Sequence, residues 1–132
     1  VDWKAALRAR LIDDGSVAAI ADNRVTWVDR PQLSALPAIT LQVVTEDRPQ
    51  SMSGFLGLDR DTVQVDVWGD SDKAVYDLQE AAIAAVIGVS NANGIKFERA
   101  FIDTVRDLGE RTDTKYVHRA SIDMIFHHSV AA

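Results

Sequence analysis

Two segments of the chain alternate apolar and polar residues, and the second runs straight into a stretch with a different repeat. In ITLQVVT, Ile39, Leu41 and Val43 are separated by Thr40 and Gln42; in TVQVDVW, Val63, Val65 and Val67 are separated by Gln64 and Asp66. A period of two sends successive side chains to opposite sides of a strand, so each segment has one core face. After Gly69 the period lengthens to 3.6, with Val75, Leu78, Ala82, Ala85 and Val86 on one stripe. Ser71 fits the N-cap of this helix, and Asp72 suits the positive end of its dipole. Strands that must cover one face, followed at once by an amphipathic helix able to cover it, point to an α+β domain.

The remaining segments extend this plan. Trp3, Leu7 and Leu11 recur at helical spacing until Asp14-Gly15, which predicts an N-terminal helix over Asp2 to Asp13, with a further short turn over Val17 to Ile20. RVTWVD (Arg24 to Asp29) reads as a short strand ended by Pro31. The main helix ends near Gly88, and NANG (Asn91 to Gly94) turns the chain into IKFERAFIDTVRD, where Ile95, Phe97 and Phe101 share a face. A charged turn, DLGERTDT (Asp107 to Thr114), leads into a last strand with Tyr116, Ala120, Ile122, Met124 and Phe126 on one side and Lys115, Arg119, Ser121 and Asp123 on the other. The expectation is one domain over residues 1–132: a four-stranded, mainly antiparallel sheet of two β-hairpins, with the N-terminal and main helices on one face.

One connection is out of proportion. RPQSMSGFLGLDR, from Arg48 to Arg60, joins two strands that a turn of two to five residues could link. It carries Met52, Phe55, Leu56 and Leu58 among glycines and serines that specify little local structure. Either these apolar side chains fold back over their own sheet or another chain covers them.

Composition narrows the function. The chain is 47% hydrophobic and 26% charged, ordinary for a folded domain of 132 residues. With 14 basic against 20 acidic side chains, a net charge of -6 and no Lys/Arg cluster, it is poorly suited to holding nucleic acid tightly. The absence of Cys excludes disulfides, thiol nucleophiles and cysteine-bound zinc. No apolar run approaches the roughly 18 residues of a membrane span, and VDWKAALRARLIDD is too charged for a signal peptide. His118, His127 and His128 share one strand, too spread to converge on a metal, and read as solvent-facing. GFLGLDR precedes a strand, whereas phosphate-binding glycine loops open a helix. Asp66 with Asp70, and Asp103 with Asp107, read as solvated sheet-face charges, and Trp27 and Trp68 as core or rim packing. No catalytic, cofactor or metal constellation emerges.

Across nearly the whole chain, WKAALRARL, RVTWVDRPQLSALPAITLQVV, VQVDVWGDSDKAVYDLQEAAIAAV and RDLGERTDTKYVHRASIDMIFH resemble, in order and spacing, the tail-completion or tail-terminator proteins of long-tailed phages and phage-like gene transfer agents. The resemblance implies a non-enzymatic particle protein, assembled in the bacterial cytoplasm. Such a protein forms a ring, usually a hexamer, on the head-proximal end of the tail tube, stops tube polymerisation and meets the head connector. DNA would pass through the ring without specific binding. On that footing Arg48, Met52, Phe55, Leu56, Leu58, Asp107, Glu110, Arg111 and Asp113 are candidates for subunit or tube contacts, and Asp72, Asp77 and Glu80 for the lumen. The alternatives are a head-tail connector or neck protein and a small ligand-binding α+β domain.

Overall fold

The structure, a computed structural model, describes residues 2–28, 35–55, 57–111 and 116–130. Two short helices open the chain, α1 (Trp3–Ile12) and α2 (Gly15–Ala21). Asp2 caps α1 by accepting from the amides of Lys4 and Ala5, and Asp14 caps α2 through Ser16 and Val17. The Asp14-Gly15 pair therefore both stops one helix and starts the next. Strand β1 (Val25–Trp27) follows, then β2 (Ala38–Asp47), a small hairpin of β3 (Gln50–Ser51) and β4 (Gly54–Phe55), and β5 (Asp59–Gly69). Helix α3 (Asp72–Val86) leads to β6 (Ser90–Ala92), β7 (Ile95–Phe97), β8 (Phe101–Arg111) and β9 (Tyr116–Val130).

Seven strands form one mixed sheet, with β1-β2-β5-β9-β7-β6 in order and β8 also paired to β9. Among the described residues only β1 runs parallel to its neighbour. The expected four strands become seven among the described residues: β1, expected as a short strand outside the two hairpins, joins β2, β6 forms at Ser90–Ala92 where the NANG turn is expected to begin, and one expected strand is split. The segment after NANG is broken into β7 and β8, and β9 is long enough to hold both on one edge, β8 along 116–125 and β7 along 128–130. The charged stretch from Asp107 to Arg111 is also strand rather than turn, because β8 continues to Arg111 opposite Tyr116.

The expected core face is the observed one. Ile39, Leu41, Val63, Val65, Val67, Ala120, Ile122, Met124 and Phe126 are buried beneath the helices with Leu7, Leu11, Val17, Val75, Leu78 and Val86. Burying Leu7 and Leu11 holds α1 to the sheet with about 1.5–3 kcal/mol for each side chain. Arg10 adds a directional tie: its Nη2 donates to the carbonyls of Gly88 (2.9 Å) and Ala85 (3.3 Å) past the end of α3, and its guanidinium lies over the Phe97 ring. Ser71 Oγ caps α3 by accepting from the Ala74 amide. Gly69 lets the strand meet that helix closely, since a Cβ there would lie 2.9 Å from Val75 Cγ2. Tyr116, expected on the core face, is 43% exposed at the end of the β8–β9 ladder where β8 stops and β9 starts.

Candidate functional site

Among the described residues no group of three or more His, Asp or Glu side chains could hold a metal ion. Of the buried polar groups, Asp61 and His128 form a sealed structural pair, whereas Ser121 Oγ has no hydrogen-bond partner among the described residues. His128 is not solvent-facing: it is 3% exposed, stacks on Trp3 with ring centroids 4.7 Å apart, and hydrogen-bonds the carboxylate of Asp61, itself 2% exposed. Burial pushes the Asp61 carboxyl above its ordinary range, and the bond to His128 pulls it partly back. No substrate reaches such a pair, so its effect falls on how α1 is held to the sheet.

The opposite face of the sheet carries a second polar set, and Asp66 is not a solvated charge there. It accepts from Arg119 Nη2 at 2.8 Å and from Gln64 Nε2 at 2.9 Å, while Arg119 lies over the Trp68 ring. Trp68 Nε1 donates to Thr40. Beyond the fully buried Ser121, Asp123 accepts from Thr104 and sits 3.6 Å from Arg106. Asp66 and Asp123 thus each have a cation beside them. The hollow between the start of α3 and β8–β9, lined by Asp72, Val75, Asp107, Tyr116 and His118, is about 240 Å³, and a shallow one between α1 and β6, lined by Ala9, Arg10, Asp13, Asn91 and Asn93, is about 330 Å³. The first lies below and the second only a little above the lower end of the roughly 300–1,000 Å³ of small-molecule pockets.

What remains chemically conspicuous is apolar surface. Within the expected Arg48 to Arg60 arm, β3 and β4 form a separate hairpin that, among the described residues, pairs only with itself, and Met52 at its turn is fully exposed; Asp59 and Arg60 already belong to β5 in the main sheet. Leu58 is 42% exposed and Arg48 is exposed, paired with Glu46 at 3.0 Å. Leu56 lies outside the described residues, as does Asp113, and the side chains of Phe55 and Glu110 are likewise not described. Asp107 and Arg111 are exposed on β8, well away along the chain from the arm. Asp72, Asp77 and Glu80 are exposed on α3, with Asp77 2.6 Å from Lys73 Nζ and the Tyr76 hydroxyl bonded to Glu80, which raises the Tyr76 pKa.

The strand β8 is the surface that sequence reasoning missed. Its apolar residues occupy both faces: Ile102 and Val105 are in register with core-facing Met124 and Ile122, whereas Phe101 and Leu108 are in register with Ile125 and Arg119. All four are 42–54% exposed. The apolar positions of FIDTVRDL, Phe101, Ile102, Val105 and Leu108, lack the period of two that marks a one-faced strand and fall at helical spacing instead.

No curated protein sequence matches the chain. Its fold is shared with a chain from a structure described as the virion of a native gene transfer agent particle, with a TM-score of 0.70 over 96% of this chain and 93% of that one, at 15% identity. A second solved chain, 18% identical, gives a TM-score of 0.54 over 98% of this chain and 94% of its own. The family of tail completion protein gp17 matches residues 5–125, from the first turn of α1 almost to the end of β9. The chain belongs to the tail completion protein gp17 family and is a structural protein of phage-type tails.

Proposed function

We propose that copies of this chain close into a ring, six being the expected number, that sits on the head-proximal end of the tail tube, ends its polymerisation and joins it to the head connector. The observation that carries this reading is the family match over residues 5–125 on a fold that holds an apolar-tipped arm clear of its own core. A tube built from stacked rings has an end that goes on recruiting subunits unless a different surface covers it. Arg48, Met52, Phe55, Leu56 and Leu58 provide the contact to the tube or the adjacent subunit. The mixed charges of Asp107, Glu110, Arg111 and Asp113 set register and partner choice, which is the usual contribution of charges at an interface rim.

The role is scaffolding rather than catalysis, and no cofactor is needed for it. Asp72, Asp77 and Glu80 stand on the exposed side of α3 and are the candidates for the wall past which DNA moves, because fixed carboxylates repel phosphate. Mass measurement on the purified chain, alone and with tail tubes, tests the reading. A closed multimer on tube ends is expected. A chain that stays monomeric in both conditions contradicts it, and a multimer that binds the connector but never the tube favours a neck protein.

A further inference from the structure

The seven-stranded sheet has two long open edges that match in direction. Along β2-β5-β9-β8 the strands alternate strictly, each antiparallel to the next. β8 therefore runs opposite to β2, and a second copy placed with its β2 against β8 continues the alternation without a break. β1 covers β2 only at residues 39–41, and among the described residues nothing pairs with the outer edge from Gln42 to Asp47.

β8 is only partly protected as an edge. Natural edges are short, or carry charges (Lys above all), Pro or bulges that block a second strand, and β8 has Asp103, Arg106, Asp107, Glu110 and Arg111 of mixed sign. β8 is 11 residues long and has neither Lys nor Pro. Its one register shift lies between Ile102 and Thr104, which leaves a regular run from Thr104 to Arg111. Apolar side chains stand exposed on both of its faces, as suits a strand whose two faces are to be covered by a neighbour's sheet. The opposing edge carries exposed Val44, at the register shift between Val43 and Thr45, and ends in acidic Glu46 and Asp47; β8 carries Arg106 and Arg111 among Asp103, Asp107 and Glu110, so opposite charges meet in the registers that set an Arg against Glu46 or Asp47.

We infer that β8 of one copy pairs antiparallel with the Gln42–Asp47 half of β2 in the next, so that the ring is joined by one continuous sheet. This rests on the ring reading and specifies how it closes. Joining unlike edges is a head-to-tail contact, the kind that generates a ring when the rotation closes. It covers both edges at once, whereas β8 against β8 about a two-fold axis leaves every β2 edge unpaired.

The chain has no Cys, so introduced thiols report without background. A panel of double variants places one Cys on β2 (Val44→Cys, Thr45→Cys or Glu46→Cys) and one on β8 (Val105→Cys, Asp107→Cys or Arg111→Cys). All six positions are exposed, and directly opposed strand residues lie within disulfide reach. Oxidation of the assembled protein is expected to yield a ladder of covalent multimers for at least one combination, with the corresponding single variants remaining uncrosslinked. A ring seen by mass in which no β2–β8 combination crosslinks overturns the edge pairing and leaves the ring intact as a conclusion. Dimers from a single β8 Cys overturn it in favour of two-fold pairing. A chain that stays monomeric with and without tubes overturns both readings.

Discussion

Asp61 and His128 are 67 positions apart, yet both follow the alternation that defines the core face. Asp61 precedes Val63, Val65 and Val67 at the same parity, and His128 follows Ile122, Met124 and Phe126. Ending those strands at Thr62 and Phe126 hides the pair; continuing the period by one step finds it. The sequence cannot supply the third member, Trp3, whose ring stacks on the imidazole only because α1 crosses this end of the sheet. Removing one partner of a buried polar pair leaves the other without compensation, so His128→Ala should cost about 3–5 kcal/mol in denaturant unfolding. The loss should exceed that of His127→Ala, which truncates a less buried neighbour. The pH dependence has a definite sign. Burial raises the Asp61 carboxyl, the nearby Glu46 and Asp59 charges push the same way, and His128 opposes them. Its folded form therefore holds a proton that the unfolded chain releases near the ordinary value of 3.8. The resulting stabilisation is complete below that value and is lost as pH rises through the raised one. Urea unfolding of the parent relative to Asp61→Asn should show this difference falling as pH climbs through that window; a rise contradicts the sign.

Among the elements, the helices and central strands were legible because each has one repeat and one covered face. Trp3–Ile12, Asp72–Val86, β2 and β5 lie where their periods place them. β8 was misread because its apolar residues face both ways and its charged end resembles a turn; only the ladder with β9 makes it strand. Gly109 marks this pairing. Tyr116 lies across it, occupying the space a Cβ would need. Gly109→Ala should push the exposed Tyr116 ring aside at a cost of about 0.5 kcal/mol, and cost less in a Tyr116→Ala background, since contacting residues couple. Equal losses in the two backgrounds would show that the contact is not the cause. The arm behaves differently, because Met52 touches water on all sides. Met52→Asp should leave unfolding within about 0.5 kcal/mol of the parent while weakening attachment to tubes, read by co-sedimentation. A large stability loss would instead show that the arm packs on its own domain.

At the scale of the molecule, one side of the sheet is closed by three helices and the other is finished with paired charges. Unspent apolar surface is left on the arm and along β8. That distribution suits a subunit completed by neighbours, and the net charge of -6 is consistent with the proposed ring, since an acidic surface repels phosphate. Order and spacing of segments made the family legible; the number of copies and the faces they use are properties of surfaces whose partners leave no periodic trace in a single chain. The most direct measurement is the length of tail tubes polymerised from purified tube protein with and without this chain, imaged by negative-stain electron microscopy. The account predicts that adding the chain caps one end of each tube with a ring and arrests elongation at that end. Tubes that keep growing at both ends, with no added density on either, would contradict it.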